Sequence, residues 1–407
     1  MRATLVLLHR WAGLFMAVFL FISGLTGAVI SWDHELDEWL NPGLFDAMPA
    51  SRDDAIRTPL ALANQLEASD PRLQITYMPL ALEPGHALSL FVHEKPGSDE
   101  LDFNQMAVNP VSGDVQQQRM WGAVSLTREN LLPFLYKLHY SMHIPDGFGL
   151  ELGVLFMGIV AIVWVLDSLI ALWISFPSIA AWRKSFAFRW RAGGYRLTFD
   201  LHRSGGVWVW LLLLILAVTS VSMNLEHQLV RPLVNAISPL TPSPFSSRAL
   251  AEHVLPGKTR EDILERAQSE AVKYGITDEA GGIFYSPEFD VYGVGFFAAG
   301  KDHGEAGLGN PWLYFDGHSG EPVGADVPGQ GSAGDLFMQL QFPLHSGRII
   351  GLPGRIMVSL MGLLVAMLSL TGIIIWAKKR RARQRSVQRV QQSAQAAAPA
   401  DGVPQAR

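Results

Sequence analysis

Four long apolar stretches divide the chain, and each is long enough to cross a lipid bilayer, which takes about 20 helical residues. They run over residues 11–32, 150–176, 207–223 and 356–376. The third is the shortest, although its flanking residues can extend it. Asp167 is the acid at clear membrane depth, where a carboxyl group is expected to face another helix. The pattern predicts an α-helical membrane protein with four transmembrane helices.

Between these stretches the chain shows short alternating apolar and polar runs, which are typical of β-strands. They occur in residues 42–130 and again in residues 240–330, separated by Pro-Gly and Asn-Pro turn signals. A helix is predicted near residues 60–66 in the first region and over residues 259–274 in the second. Strands are predicted to follow each helix, and in the second region they include residues 280–285, 291–297 and 312–315. Each region is therefore expected to form a small α+β module.

The predicted fold is a four-helix transmembrane bundle made from a duplicated two-helix unit, with two α+β modules on one side. The glutamine-, alanine- and arginine-rich end is predicted to be disordered. The predicted segments are transmembrane helix 1 with the amino terminus (1–41), module 1 (42–133), transmembrane helix 2 (134–177), a basic loop (178–200), transmembrane helix 3 (201–231), module 2 (232–335), transmembrane helix 4 (336–380) and the tail (381–407).

Composition supports a membrane protein and limits its chemistry. Only 17% of the residues are charged, against about 25% in soluble proteins. The net charge of −5 argues against nucleic acid as a partner. The chain has no cysteine, which excludes disulfides, thiolate metal sites, iron–sulfur clusters and covalent haem attachment. The composition does not exclude haem held by histidine alone.

The placement of lysine and arginine predicts the orientation. Basic residues concentrate near the amino terminus, in the loop at 178–200 and at 378–381. Residues 33–133 contain 16 acids and 6 bases. Both termini are therefore expected in the cytoplasm and both modules outside. The first apolar stretch lacks a convincing cleavage site and is expected to be a retained anchor rather than a signal peptide.

Histidines repeat at a fixed offset around the first and third stretches. His9 and His34 flank one, and His202 and His227 flank the other, with 202 − 9 = 193 and 227 − 34 = 193. The flanking sequences LHRWAG and LHRSGG also match. One histidine at a helix end is usually a headgroup contact. The duplicated placement favours cofactor ligands instead.

Further histidines precede the second and fourth stretches, in LHYSMH (138–143) and LQFPLH (340–345). An offset of 202 aligns His143 with His345 and leaves His139 opposite a glutamine. His139 and His143 are four residues apart and share a helix face. Either can therefore be a ligand, with the other supporting it.

These positions predict haem ligation at two depths. The 25 steps from His9 to His34 span roughly 37 Å of helix, so the two histidines cannot share one site. A pseudo-twofold axis allows one ligand from each repeat, and two imidazoles close the iron to oxygen and suit electron transfer. The expected iron ligands are His9, His202, His143 and His345, and the further candidates are His139, His34 and His227. The polar surroundings of His34 and His227 make these two the weaker candidates, and the pairing on each haem is left open.

Two blocks of the sequence resemble the PepSY-associated transmembrane family. The first is LHRWAGL (8–14) with GLTG (24–27). The second is LHSGRIIGLPGR (344–355), followed by LTG (370–372) and Trp376. The resemblance covers nearly the whole chain except the tail. It implies four transmembrane helices and two periplasmic PepSY-like modules.

Members of that family include bacterial inner-membrane ferric-siderophore reductases with b-type haem, of the ferrioxamine and pyoverdine kinds. The resemblance implies an enzyme in the bacterial inner membrane with two haem b groups. It would reduce a ferric siderophore, with pyoverdine as the suggested kind, and release Fe(II). The electron donor would be a cytoplasmic protein or a quinol. The alternatives are a haem-free regulatory or assembly protein that binds a protein partner, and a quinol-linked cytochrome with another acceptor.

Overall fold

The structure is a computed structural model that describes residues 1–47, 56–176, 178–248, 250, 254–302 and 304–397. The helices are α1 (Arg2–Ile30), α2 (Asp33–Leu40), α3 (Pro42–Phe45), α4 (Pro59–Ser69), α5 (Leu131–Ser141), α6 (Leu152–Ser175), α7 (Gly194–Trp208), α8 (Trp210–Asn224), α9 (Arg231–Ile237), α10 (Pro244–Ser247), α11 (Arg260–Tyr274), α12 (Ala333–Ser346) and α13 (Leu352–Ala397). The strands are β1 (Leu73–Pro79), β2 (Leu88–Glu94), β3 (Gln105–Val108), β4 (Val115–Arg119), β5 (Ala280–Ser286), β6 (Val291–Phe296), β7 (Trp312–Asp316) and β8 (Pro322–Asp326).

Long apolar helices make the chain a membrane protein. Among the described residues, α1, α6 and α13 are each long and apolar enough to cross a bilayer. Helices α7 and α8 pass the same test together but are bent by 72°. The chain therefore has three continuous candidate spans, or four if the bent pair is one span. Apolar side chains such as Val18, Leu166 and Leu360 are exposed along these helices, as expected of a surface that meets lipid.

The third span differs from the continuous helix that the sequence predicts over 207–223. The break lies between Trp208 and Trp210, and the straight part, α8, has 15 residues. Ser204, Gly205 and Gly206 lie near the end of α7, shortly before the break. Such small residues are a recognised cause of helix kinks. The histidine at position 202 is therefore carried by α7 and not by the long apolar segment itself.

The last helix also extends further than the sequence predicts. Helix α13 continues through residues 381–397, which belong to the tail predicted to be disordered. Alanine, glutamine and arginine are good helix formers, and they continue the helix that the apolar span begins. The remaining tail residues lie outside the described part of the chain.

The chain divides into two compact units. Unit 1 comprises Met1–Gly24, Val163–Leu214 and Leu363–Arg407, and unit 2 comprises Leu25–Ile162 and Ile215–Gly362. Helices α1, α6, α8 and α13 each contribute to both units. All strands of the sheet belong to unit 2.

One antiparallel sheet contains all eight strands, in the order β4-β3-β2-β1-β5-β6-β7-β8. The sequence predicts two separate modules, whereas the structure has two four-stranded halves joined along β1 and β5. Their pairing places Tyr77 opposite Phe284 and Met78 opposite Ile283. Because the two inner edge strands pair, neither half leaves an unpaired edge there.

A shared core explains why the halves form one sheet. Helix α4 contributes Leu62 and helix α11 contributes Ile263, and both side chains are fully buried in the cluster that includes Met78 of β1 and Leu313 of β7. Both helices begin with a threonine that accepts a hydrogen bond from the first turn, which supports their start. The predicted helices near 60–66 and over 259–274 are confirmed.

Candidate functional site

Unit 1 brings His9 of α1 and His202 of α7 together, as the repeat predicts. Their ring centroids are 6.1 Å apart. His9 Nδ1 lies 2.9 and 3.0 Å from the two carboxylate oxygens of Asp167 on α6. His202 Nδ1 lies 3.0 Å from the Leu368 carbonyl and 3.2 Å from the Thr371 hydroxyl, both on α13. Helices α6 and α13 thus orient the two rings.

Unit 2 contains a second histidine pair with the same separation. His139 of α5 and His345 of α12 have ring centroids 6.1 Å apart. His139 Nδ1 lies 3.1 Å from the Thr26 hydroxyl of α1. His345 Nδ1 lies 3.0 Å from the Thr219 hydroxyl of α8. Helices α1 and α8 therefore orient the rings carried by α5 and α12.

The hydrogen bonds define which ring nitrogen can bind a metal. A carbonyl only accepts, so His202 Nδ1 must donate to Leu368. Thr219 Oγ1 also lies 2.9 Å from the Ile215 carbonyl, to which its single proton is donated, so it accepts from His345 Nδ1. A ring that is protonated on Nδ1 has its lone pair on Nε2. A metal-binding histidine ordinarily donates its second N–H in this way.

The neutral form of the ring is the one that binds metal, and the surroundings of His345 favour it. Burial, together with the neighbouring His139 ring, lowers the pKa of His345 to about 3. This imidazole is therefore uncharged near neutral pH.

In each unit, one glycine makes room for a histidine ring. A Cβ atom on Gly27 would lie 2.8 Å from His139 Cε1, and one on Gly372 would lie 3.2 Å from His202 Cε1. Each glycine directly follows a threonine that contacts the same ring, in the tripeptide Leu-Thr-Gly at 25–27 and at 370–372. The tripeptide therefore supplies both a hydrogen-bond partner for Nδ1 and the space for the ring.

The spacing of both pairs fits a metal held between two imidazoles. Rings that bind one metal from opposite sides, through bonds of about 2 Å, have centroids about 6 Å apart. Both observed separations are 6.1 Å. The ring planes are inclined by 47° in unit 1 and 64° in unit 2. Two imidazole nitrogens are the donor set of bis-histidine haem.

The turns between the helices explain how the second pair is formed. A Cβ atom on Gly153 would collide with the Ser141 carbonyl, and one on Gly354 would collide with the Gly347 carbonyl. The two contacts are equivalent in the repeat, so Ser141 corresponds to Gly347 and Gly153 corresponds to Gly354. The sequence offset is 347 − 141 = 206 for the first correspondence and 354 − 153 = 201 for the second. The turn before α6 is therefore longer than the turn before α13 by 206 − 201 = 5 residues.

This longer turn changes the register of the repeat. At an offset of 206 the equivalent of His345 is His139, since 345 − 139 = 206. The alignment at an offset of 202, which equates His143 with His345, is not the spatial one. His143 follows α5 with a φ of 52°. Its Nε2 donates to the Phe134 carbonyl at 2.9 Å, and its ring stacks on that phenylalanine.

The two weaker candidates lie in other surroundings. His34 is in α2 and meets the ring of Phe45 edge-on, at 5.7 Å between centroids. His227 lies in a short π-helical turn, Glu226–Val230, between α8 and α9. The structure includes neither of them in the two pairs described above.

The sequence pattern identifies three of the four paired histidines directly but not their orienting partners. Asp167 stands out as a buried acid, and His9 is its partner. Two repeat signals point to the threonines. Thr219 is related to Thr26 by the same offset of 193 (219 − 26), and Thr371 belongs to the second Leu-Thr-Gly tripeptide.

The family model of the PepSY-associated TM region matches residues 6–379. Because this match covers most of the 407 residues, the chain belongs to that family. Both histidine pairs and their orienting residues lie within the matched region. No curated protein matches the chain.

Proposed function

We propose that this member of the PepSY-associated TM region family is a bacterial inner-membrane reductase. It would carry two haem b groups and pass electrons across the membrane to a periplasmic ferric siderophore, releasing iron as Fe(II). The observation that carries the proposal is the duplicated histidine pair, with the same ring separation and the same use of Nδ1 in both units. A histidine that only contacts lipid headgroups does not require a second histidine ring at this separation.

The residues have distinct parts in this proposal. His9 and His202 would hold one haem, and His139 and His345 would hold the other. Asp167, Thr26 and the other Nδ1 partners fix the tautomer and the orientation of the rings. Haem, when bound, would supply reversible one-electron transfer at its iron.

The choice of substrate rests on the chemistry of iron release. Oxygen-rich chelators prefer hard cations and hold iron(III) far more tightly than iron(II). Reduction of the ferric complex by one electron is therefore enough to free the metal. This step needs no acid or base from the protein. The siderophore is taken to be of the pyoverdine kind on the resemblance alone.

The placement in the membrane rests on charge. The basic residues at 183–196 lie between α6 and α7 or in the first turn of α7, and those at 378–383 lie in α13 just after its apolar part. The strand-bearing regions lie between the candidate spans. The positive-inside tendency then puts the basic segments and both termini in the cytoplasm. The sheet would lie in the periplasm, and a cytoplasmic protein or quinol would supply electrons.

The first test is a spectrum of the protein purified after expression with ample haem. We expect a Soret band, and a pyridine haemochrome assay that gives about two haem b groups per chain. Absence of haem would refute the reductase and leave the haem-free regulatory protein as the better hypothesis.

The second test adds ferric siderophores to the anaerobically reduced protein. We expect the haem spectrum to return to the oxidised form and an Fe(II) chelator to capture the released metal. The gallium(III) complex is the matched control, because it has the same charge and shape but accepts no electron. Haem that is bound but is not oxidised by any ferric siderophore would favour the quinol-linked cytochrome with another acceptor.

A further inference from the structure

The Nδ1 partners of the paired histidines differ in charge. His9 Nδ1 lies within hydrogen-bond distance of both carboxylate oxygens of Asp167. By contrast, the Nδ1 atoms of the other three rings meet neutral oxygen atoms. These belong to a backbone carbonyl and a hydroxyl at His202, and to the hydroxyls of Thr26 and Thr219 at the second pair.

Asp167 departs from the repeat at a position where an acid is unfavourable. It lies in the middle of the apolar helix α6, and its side chain is only 6% exposed. The corresponding part of α13 has Thr371 as the partner of His202. A carboxylate at this depth is costly unless it is paired. Its contact with His9 is therefore the compensating interaction.

A carboxylate partner alters the electronic character of a histidine ligand. When Nδ1–H donates to an anion, the imidazole becomes more basic at Nε2 and a stronger donor to a bound metal. The negative charge also favours the more positive, oxidised metal. Hydrogen bonding around an axial ligand is one of the means by which a protein changes a haem potential.

We infer that Asp167 is a positioning residue that lowers the reduction potential of the His9–His202 site below that of the His139–His345 site. This inference rests on the proposed function. Electrons move spontaneously from the lower to the higher potential, so the order favours transfer from the first site to the second. That is the direction the proposed reductase requires.

The test is an optical redox titration of the purified, haem-loaded protein. We expect two components in the wild type, and loss of the lower one in His9→Ala. Asp167→Asn retains an acceptor for Nδ1 without the charge. It should favour reduction of the lower component by about tenfold, an upward shift of about 59 mV for one electron, and leave the upper component unchanged.

Two variants provide the controls. Asp167→Glu retains the charge and should keep the lower potential close to the wild-type value. Thr371→Val removes a neutral partner of His202, which keeps the Leu368 carbonyl, and should shift the potential much less. An unmoved lower component in Asp167→Asn would overturn the inference and leave the reductase intact. A wild-type protein without haem would overturn both the inference about Asp167 and the proposed reductase function. If Asp167→Asn loses haem, His9→Ala decides the order of the two potentials. Loss of the upper component of the wild-type titration in that variant would contradict the inferred order.

Discussion

The histidine pair of unit 1 and the histidine pair of unit 2 differ in which helices carry the rings and which helices orient them. In unit 1, α1 and α7 carry the rings, and α6 and α13 carry the groups that orient them. In unit 2, α5 and α12 carry the rings, and α1 and α8 carry the orienting groups. Both ring separations are 6.1 Å. The repeat therefore conserves the geometry of a pair while it exchanges the roles of the helices.

The pairs differ in where their rings lie and in what orients them. The unit 1 rings are carried by α1, a continuous candidate span, and by α7 of the bent pair, and the ring on α1 faces the carboxylate of Asp167. The unit 2 rings are carried by α5 and α12, which precede the spans α6 and α13 in the chain, and they face hydroxyl groups. The comparison teaches that two histidine pairs with the same ring separation can still have chemically different hydrogen-bond partners.

The largest effect is expected from removing one ring of either pair. His202→Ala and His345→Ala should each lower the haem content from two groups per chain to one, because each removes one of the two histidines that would hold that haem. A pyridine haemochrome assay against protein concentration measures this. If His345→Ala kept both haems, the unit 2 pair would not be a haem site, and the comparison would fail.

A smaller effect is expected from removing a single orienting hydroxyl. Thr219→Val leaves His345 Nδ1–H without that acceptor, and loss of such a partner costs about tenfold or more in metal-site affinity. Thr371→Val should cost less, because His202 Nδ1 also lies 3.0 Å from the Leu368 carbonyl. Haem loss to an excess of a soluble haem acceptor gives the two affinities. Equal losses would show that the second acceptor of His202 contributes nothing.

A still smaller effect is expected at the two glycines. An added Cβ would lie 2.8 Å from His139 in Gly27→Ala but 3.2 Å from His202 in Gly372→Ala. Displacing a ring from its preferred rotamer costs about 1 kcal/mol, which is about fivefold in affinity. We expect this loss for Gly27→Ala and less for Gly372→Ala, by the same haem-transfer measurement. The other site of each variant is its internal control, and a greater loss in Gly372→Ala would contradict the order.

The smallest effect is expected for His143→Ala. Its Nε2 donates to a backbone carbonyl, so the substitution should leave the haem content and both spectra unchanged. His139→Ala is the matched variant, four residues earlier, and should lose one haem. The reverse outcome would restore the alignment that equates His143 with His345.

The sheet illustrates how far local sequence patterns reach. Alternation predicts strands at 280–285 and 312–315, and the structure has β5 and β7 there. The joining of the two halves depends on pairing between Tyr77 and Phe284, which are remote in the chain. Periodicity indicates which residues form a strand, but it contains no information about which other strand that strand pairs with.

The sequence by itself determined the apolar stretches, the repeated spacing and the histidines from which both pairs are drawn. These follow from apolar length, from a constant offset of 193 and from residue chemistry, all of which are local or repetitive properties. Only the tertiary structure decided that His139 rather than His143 faces His345, because five additional residues in one turn shift the register. It also decided that Asp167 faces His9 across 158 positions of the chain. Such contacts depend on how helices pack, and no periodicity in the sequence specifies them.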